Sequence, residues 1–329
     1  MVETVQVETV QIDVSVIVAA YKCVATLERA VHSCLDQPGV AVEVIIVDDA
    51  SPDDTLDLAR QLAEAHDTVI ALTTGVNKGP SGARNMALEI AKGTYVTVLD
   101  SDDFMEPGRL ARMLAQARVL QATILADDLY KVMEGDEEGP RTRLLDLPKP
   151  GSDCFAVDLA EFTRGNMTTY NGARGEMGFL KPLILRGFLE EHGLRYHEDM
   201  RLGEDFALYA EALAAGAAFQ IVPPAGYFAV VRPDSLSGSH GAKDLGALAR
   251  RIKALRDAAT GPARDALQAL WIDTMKRYNW VRLIDAVKAR DLAEIAACFK
   301  APPSVSVHLI NCLGEQFVLR TGRLLGRST

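Results

Sequence analysis

The chain has 329 residues, of which 48% are hydrophobic and 24% are charged. This length and apolar content allow one large α/β domain or two ordinary ones, and they exclude an intrinsically disordered chain. The 45 acidic residues outnumber the 35 basic ones, and the resulting net charge of −10 argues against nonspecific binding of nucleic acid.

The first half of the chain alternates between strand and helix patterns. Residues 1–12 alternate only weakly in polarity and are predicted to form a leader without regular structure. Short connections join the later segments, which indicates βαβ units and a mostly parallel sheet with helices on both faces. Strands are expected at 14–19, 42–47, 68–72 and 95–99, and helices at 26–35, from the Ser51-Pro52 cap onward, and at 80–92 with Gly93 as the stop.

The pattern becomes less regular beyond Asp103. Segments 134–150 and 166–179 are rich in charge or glycine and are predicted to be surface loops. From about Ala242 onward the chain is predicted to be mostly helical. Between these segments, helices are expected at 109–120, 183–192 and 204–215, and strands at 123–126 and 219–222.

Polar residues follow three of the predicted strands where each strand ends. The first strand ends at Ala19-Ala20-Tyr21, the second at Asp48-Asp49, and the fourth at Asp100-Ser101-Asp102-Asp103. In an open α/β sheet the ligand site lies outside the carboxyl ends of the strands. These residues are therefore expected to meet at one edge of one sheet, which we call the rim.

The acidic cluster at 100–103 is the strongest chemical signal. Three carboxylates in four residues repel one another, and a divalent cation shared with a ligand diphosphate would neutralise them. An acidic turn that caps the next helix is the structural alternative. A phosphatase-type D-x-D-x-[TV] nucleophile motif is disfavoured because Asp103 stands at its last position.

Two further segments suit a nucleotide. Asp48 and Asp49 can accept hydrogen bonds from a base or a ribose, although Asp-Asp-x-Ser also makes a good turn. The loop 77–85 opens a helix and carries Lys78 and Arg84, which suits an anionic ligand or a plain surface loop. Binding of the NAD type is disfavoured because no G-x-G-x-x-G follows the first strand.

A second acidic pair, Glu204-Asp205, opens an apolar helix. Helix capping explains such a pair, and a carboxylate at this place can equally act as a base. The neighbouring His197, Glu198 and Asp199 are interpreted as solvated loop charges.

Taken in order, these segments resemble the inverting family 2 glycosyltransferases over roughly residues 13–240. The motifs that carry the resemblance are 14–22, Val47-Asp48-Asp49-Ala50-Ser51, the N-x-G-x-x-x-A-R-N segment 77–85, Leu99–Asp103, Gly203-Glu204-Asp205 and the late loop 232–237. The sequence departs from the family pattern at Ala19 (usually Pro), Lys22 (usually Asn) and Arg232 (often His).

The resemblance implies a GT-A fold, a Rossmann-like α/β fold of nucleotide-diphospho-sugar transferases, followed by a C-terminal helical extension. It implies that Asp205 is the catalytic base and that Asp102 is the ligand of Mn²⁺ or Mg²⁺. It also implies a donor-binding set of Ala19, Tyr21, Asp48, Asp49, Lys78, Arg84, Asp100, Ser101 and Arg232. The domain boundaries that follow are a leader 1–12, a nucleotide-sugar-binding half 13–125, an acceptor-binding half 126–241 and a helical region 242–329.

The activity implied is inverting transfer of a sugar from a UDP-sugar to a hydroxyl of a glycan or lipid-linked oligosaccharide. The stretches 178–182 and 198–208 look similar to exopolysaccharide members of the succinoglycan type, which makes glucose the first donor sugar to test. Two alternatives stay open. A sugar-nucleotide-forming nucleotidyltransferase would need a Gly-rich basic loop after the first strand, and a non-catalytic scaffold would be expected to lack Asp102 or Asp205.

The C-terminal tail is basic and amphipathic. Residues 300–329 hold four basic residues and one acid, a local charge of +3, with apolar residues between them. Such a helix can lie on an anionic membrane surface or pack back on the domain.

The most apolar stretch, 206–222, contains Glu211 and Gln220 and is not predicted to span a membrane. The chain has five cysteines without a C-x-x-C pair and no signal-peptide pattern, so we expect a cytoplasmic protein with reduced thiols, peripheral at most to the inner membrane face.

Overall fold

The computed structural model describes residues 11–145, 147, 152–167, 175–232 and 240–324, with side chains as far as Val318. The chain forms two compact units. The first comprises residues 1–162 and 176–235, and the second comprises residues 163–175 and 236–329. Most of the predicted leader and most of the late loop 232–237 lie outside the described residues.

The N-terminal part of the first unit is the predicted strand–helix alternation. Its central strands at 14–20 and 42–48 are rich in Val and Ile and buried on both faces, as parallel strands between two helix layers must be. The elements are β1 (Val14–Ala20), α1 (Leu27–Leu35), β2 (Val42–Asp48), α2 (Thr55–Ala65), β3 (Val69–Thr73), α3 (Gly79–Ile90) and β4 (Tyr95–Val98).

The rest of the first unit extends the sheet and adds a second, smaller one. Its elements are β5 (Phe104–Met105), α4 (Arg109–Leu120), β6 (Ile124–Asp127), β7 (Tyr130–Met133), β8 (Thr142–Arg143), β9 (Phe155–Val157), most of α5 (Leu159–Arg164), a 3₁₀ turn (Met177–Phe179), β10 (Leu183–Leu185), α6 (Arg186–Glu191), α7 (Glu204–Ala214), β11 (Phe219–Val222) and β12 (Tyr227–Val231).

The large sheet has eight strands in the order β3-β2-β1-β4-β10-β6-β11-β9. Six of them run in one direction, and β10 and β9 run against their neighbours. The register pairs Ala20 with Asp48 and Ile17 with Val98. This alignment brings the residues that follow β1, β2 and β4 to the same edge, as the sequence predicts.

The predicted helix at 183–192 is wrong in its first turn. Leu183–Leu185 instead form β10, which inserts antiparallel between β4 and β6. The backbone amides of Leu185 and Arg186 donate to the carbonyls of Thr123 and Thr94, so the ladder satisfies groups that a helix would satisfy internally. Pairing across the sheet therefore overrides the local helical pattern in these three residues.

Two predicted helix boundaries also differ. The second helix begins at Thr55 rather than at the Ser51-Pro52 pair, because the Ser51 amide donates to Asp48 and its hydroxyl accepts from the Lys22 amide. The third helix ends at Ile90, before Gly93. A Cβ at Gly93 would lie 2.4 Å from the Ser15 nitrogen, so this glycine allows a close backbone approach and does not stop the helix.

The small sheet has the order β5-β12-β7-β8 and was not predicted. The rings of Phe104 and Tyr130 stack on Phe228, with centroids 4.9 and 5.4 Å apart. Because β5 follows the acidic cluster directly, this stack anchors the end of the rim.

The second unit is helical, as predicted, and contains α8 (Ala242–Ala258), α9 (Gly261–Ala289), α10 (Leu292–Cys298) and α11 (Pro303–Leu324). Leu283, Cys298 and Leu309 form a buried cluster that joins α9, α10 and α11. Across the part of the chain that the structure describes, every helix is too short or too polar to cross a bilayer.

Candidate active site

The loop that opens α3 is held by Asp49. This buried carboxylate accepts hydrogen bonds from the backbone amides of Lys78 and Gly79, each at 2.8 Å, and from the Thr74 hydroxyl at 3.0 Å. Gly79 has a φ of +75°, a conformation that glycine adopts at little cost. Asp49 therefore shapes this part of the rim, and its predicted contact with a nucleobase stays a prediction.

The adjacent turns after β1 and β2 are strained. Lys22 and Ala50 have φ values of 53° and 55°, which cost a non-glycine residue about 1–2 kcal/mol. The Lys22 amide donates to the Ser51 hydroxyl over 3.1 Å and joins the two turns. Tyr21 remains 43% exposed at the rim, and Ala19 is half-buried one residue before the end of β1. Strain of this kind persists where surrounding contacts enforce it, and it is frequent at ligand sites.

Arg84 brings the distant acidic residues together. It is buried in α3, and its Nη1 lies 3.0 Å from Asp205 Oδ1 and 3.2 Å from Glu204 Oε1. Its Nη2 lies 3.1 Å from Asp100 Oδ1. The structure thus assembles predicted site residues from α3, from the end of β4 and from the N-terminus of α7.

Lys181 completes this cluster, although the sequence analysis gave it no role. Its Nζ lies 3.1 Å from both Asp100 Oδ2 and Asp205 Oδ2. The available signal was an isolated lysine in an apolar segment just before a proline, since a buried ammonium needs a carboxylate partner.

The charges in this cluster shift one another's pKa values. Burial by itself would raise the pKa of Asp100, but the Lys181 and Arg84 charges hold it below its usual value. Burial and the Asp205 charge raise the pKa of Glu204. For Lys181, the Asp100 and Asp205 carboxylates raise the pKa although burial alone would lower it. Both cations therefore stay charged and offset part of the negative charge of the three carboxylates.

The acidic cluster after β4 divides into different roles. Asp103 is buried and accepts from the Tyr227 hydroxyl at 2.8 Å and from the Val230 amide at 2.9 Å. Burial, together with the charges of Asp100 and Asp102, raises the pKa of Asp103 to about 8. Asp103 therefore serves the junction with the small sheet rather than a ligand at the rim.

Asp102 is the member of the cluster that faces outward. Its side chain is 37% exposed, and Arg232 Nη2 lies 3.7 Å from its Oδ2. Arg29 fixes its backbone by donating to the Asp102 carbonyl over 2.6 Å. Burial, and next the charge of Asp100, raises the pKa of Asp102, which a cation would reverse. The neighbouring Ser101 is half-buried, and its hydrogen bond to Cys23 opposes the burial that raises the pKa of that thiol.

The residues present fit a divalent metal shared with a diphosphate. Within the described ranges, no three His, Cys, Asp or Glu side chains are grouped so that the protein alone could hold a metal ion. A single outward carboxylate at Asp102 needs phosphate oxygens to complete an oxygen-ligand set. Arg232 Nε lies 3.2 Å from Glu134 Oε1, and its Nη2 faces Asp102, so this guanidinium lies beside the carboxylate that would hold the metal and could also pair with a diphosphate.

The sheet order and the acid-lined rim define a GT-A-like α/β protein, and comparisons with known proteins agree. The model of the family "Glycosyl transferase family 2" matches residues 15–178. The succinoglycan biosynthesis protein ExoO of Rhizobium meliloti (strain 1021) is 34% identical over 303 residues, which cover 90% of this chain and 84% of ExoO. The chain therefore belongs to glycosyltransferase family 2, as the sequence analysis predicted.

Two further similarities refine this placement. The succinoglycan biosynthesis protein ExoU of the same organism is 41% identical over 238 residues, or 71% of this chain and 66% of ExoU, just under two thirds. The crystal structure of S. aureus TarS 1–349 in complex with UDP-GlcNAc superposes with a TM-score of 0.62 at 16% identity, covering 88% of this chain and 91% of that one. At this identity the likeness concerns the fold alone, and it confirms the predicted fold class.

Proposed function

We propose that this protein transfers a sugar from a UDP-sugar to an acceptor hydroxyl with inversion, in the assembly of an extracellular polysaccharide. The observation that carries the proposal is that Arg84 pairs with both Asp205 and Asp100. Asp205, the predicted base, therefore lies close to the acidic cluster that contains Asp102, the predicted metal ligand. The names of ExoU and ExoO support the polysaccharide assignment.

UDP-glucose is the proposed donor. A relative from Escherichia coli, 41% identical over 101 residues, is named UDP-Glc:alpha-D-GlcNAc-diphosphoundecaprenol beta-1,3-glucosyltransferase WfaP. That alignment covers 31% of this chain and 39% of WfaP. The rim from Ala19 and Tyr21 to the Asp49-held loop would receive the nucleoside, and Lys78 and Arg232 would face its phosphates.

The proposed metal is Mn²⁺ or Mg²⁺, held by Asp102 together with the donor diphosphate. When bound, this cation would neutralise the charge that develops on the departing diphosphate. Arg232, whose Nη2 lies 3.7 Å from Asp102, would place a guanidinium beside the same charge.

Asp205 is the proposed general base. The acceptor oxygen forms a bond to the sugar C1 from the face opposite the diphosphate, and the C1–O bond breaks with its electron pair leaving on UDP. The acceptor proton passes to the Asp205 carboxylate, which the Arg84 and Lys181 charges surround. Glu204 shares only Arg84 and is the weaker candidate.

The proposed acceptor is a lipid-linked oligosaccharide, by analogy with the diphosphoundecaprenol named for WfaP. An enzyme with such an acceptor works at a membrane surface. Helix α11 buries Val305 and Leu309, whereas Val307, Ile310 and Leu313 are 56%, 60% and 41% exposed. With the +3 charge of residues 300–329, this second apolar face supports the proposed peripheral contact with the inner membrane surface.

The decisive experiment incubates the protein with UDP-glucose and Mn²⁺ in the presence and absence of a glycan acceptor. Release of UDP is the expected result, because transfer to an acceptor or to water breaks the C1–O bond. A parallel incubation supplies UTP and glucose 1-phosphate instead, and release of pyrophosphate there would indicate a nucleotidyltransferase. Binding of UDP-glucose without turnover would indicate a scaffold. With water as acceptor, NMR should detect β-glucose before mutarotation, whereas α-glucose would contradict inversion.

A further inference from the structure

Lys181 is fixed at both its backbone and its side chain. Its side chain is 5% exposed, and its backbone carbonyl accepts from Arg109 Nη2 over 2.9 Å. Arg109 in turn pairs with Asp127, and both side chains are completely buried. Because Pro182 follows, the backbone here has little freedom, and the Lys181 ammonium is delivered to one place.

The ammonium closes a ring of alternating charges. Around the ring, Lys181 contacts Asp100 at 3.1 Å, Asp100 contacts Arg84 at 3.1 Å, Arg84 contacts Asp205 at 3.0 Å, and Asp205 returns to Lys181 at 3.1 Å. Each carboxylate uses one oxygen for each cation. Glu204 adds one further negative charge, so two cations face three carboxylates and the cluster carries a net charge of −1.

We propose that Lys181 is a positioning residue for sugar transfer, which holds the carboxylate of Asp205 in the orientation that receives the acceptor proton. The inference rests on the proposed function and adds to it a residue that never needs to touch the substrate. Arg84 pairs with Oδ1 of Asp205 and Lys181 with Oδ2, and the buried Tyr196 side chain also hydrogen-bonds to this carboxylate. Without Lys181, no cation among the described residues pairs with Oδ2, so the carboxylate loses one of the two ion pairs that set its orientation. The loss of Lys181 would also double the net negative charge, from −1 to −2, and drive Asp205 away from Asp100.

The first test separates turnover from binding. In Lys181→Met, kcat for UDP release from UDP-glucose should fall at least about tenfold while KM changes less than about threefold, the signature of an interaction lost at the chemical step. Lys181→Arg keeps the charge and should recover part of kcat. The matched control is Lys131→Met, because Lys131 pairs with Glu176 outside the ring, and it should keep the wild-type kcat. Wild-type kcat in Lys181→Met would overturn the proposal.

The second test needs no turnover. Urea unfolding of K181M, D205N and K181M/D205N gives a double-mutant cycle, in which contacting residues show effects that do not add. We expect the double variant to depart from additivity by at least about threefold in the unfolding equilibrium constant. Strict additivity would show that the ring does not form in solution and would overturn the proposal. If the cycle shows this coupling but the wild-type protein turns over no UDP-sugar, the proposed function is refuted and the ring itself is not.

Discussion

Arg232 and Asp102 face each other at the rim, with Nη2 of the arginine 3.7 Å from Oδ2 of the aspartate. The first was predicted to pair with the donor diphosphate and the second to hold the metal. A metal–diphosphate group would offer Arg232 an anion and Asp102 a cation. Each side chain would then have a stronger partner than it has in their present mutual contact. If the proposed function holds, these two oppositely charged side chains would receive the metal–diphosphate group.

The first prediction follows from this pair. Asp102→Ala, or EDTA in the wild type, should weaken UDP binding by about tenfold or more, because the diphosphate then loses its metal. Isothermal titration calorimetry with UDP and Mn²⁺ measures the change. The control is Asp67→Asn, an exposed acid before β3, which should bind UDP like the wild type. Unchanged affinity in both EDTA and Asp102→Ala would remove the metal assignment.

The second prediction concerns the base. Asp205→Asn keeps the shape of the side chain and removes its basicity, so transfer should fall by roughly 10²–10⁴ while UDP-glucose binding stays within a few-fold. Glu204→Gln is the matched control at the neighbouring helical position and should retain most activity. The assignment would pass to Glu204 if only that variant were inactive, and helix capping would explain the segment if both were active.

The third prediction is a pH dependence of stability. In an unfolded chain the pKa of an aspartate is about 3.9. In the folded protein, burial and the charges of Asp100 and Asp102 raise the pKa of Asp103 to about 8. The protonated form is therefore favoured by folding, so its stabilising contribution is complete below about pH 4 and is lost as pH rises through about 8.

Urea unfolding in EDTA at pH 5 and pH 8 tests this sign. The wild type should lose stability toward pH 8, and Asp103→Asn should lose less, because its amide stays neutral beside Tyr227 and Val230. An equal loss in both proteins would assign the dependence to other groups.

The fourth prediction concerns packing at Gly93. An added Cβ would lie 2.4 Å from the Ser15 nitrogen and 2.7 Å from the Tyr95 carbonyl oxygen, so Gly93→Ala should destabilise the fold by about 1–3 kcal/mol. Gly187→Ala is the control, since no atom lies within 4 Å of its added Cβ and alanine favours a helix by about 0.5–1 kcal/mol. Chemical denaturation measures both, and equal stability of the two variants would contradict the close approach.

The fifth prediction concerns α11. Deleting residues from 304 onward would remove the buried Val305 and Leu309, so substitution is the better test of membrane contact. The double variant V307S/I310S should bind anionic vesicles several-fold less than the wild type in a flotation assay, because it loses exposed apolar area. The control Leu292→Ser removes a side chain that is 78% exposed in α10. Equal flotation of all three proteins would exclude the α11 face as the contact.

The main α/β elements were predictable because their signals are local and repeated. The β-branched run at β1 and the apolar period of α4 match the structure closely. The gathering of the residues that follow β1, β2 and β4 follows from the same logic, since ligand groups gather at the carboxyl ends of parallel strands. The meeting of Arg84 with Asp205, 121 positions apart, does not follow from it, because both residues lie in helices.

The unpredicted features depend on partners that no local pattern reveals. Three apolar residues at Leu183–Leu185 fit a strand or a helical turn equally, and only the gap between β4 and β6 decides between them. The helix start at Ser51-Pro52 fails because the Ser51 groups are used by the neighbouring turns. Lys181 carries a local sign of burial, but its two carboxylate partners lie 81 and 24 positions away along the chain.

The ring of charges can form only late in the synthesis of the chain on the ribosome. Its four members sit at positions 84, 100, 181 and 205, so the ribosome delivers the first and the last roughly 6–24 s apart at about 5–20 residues per second. Until then the nascent chain carries Arg84 and Asp100 without their later counterions. A chain cut or stalled before residue 205 would contain most of the predicted donor-binding residues but could not close the ring, so the emergence of α7 is the step that supplies its last member.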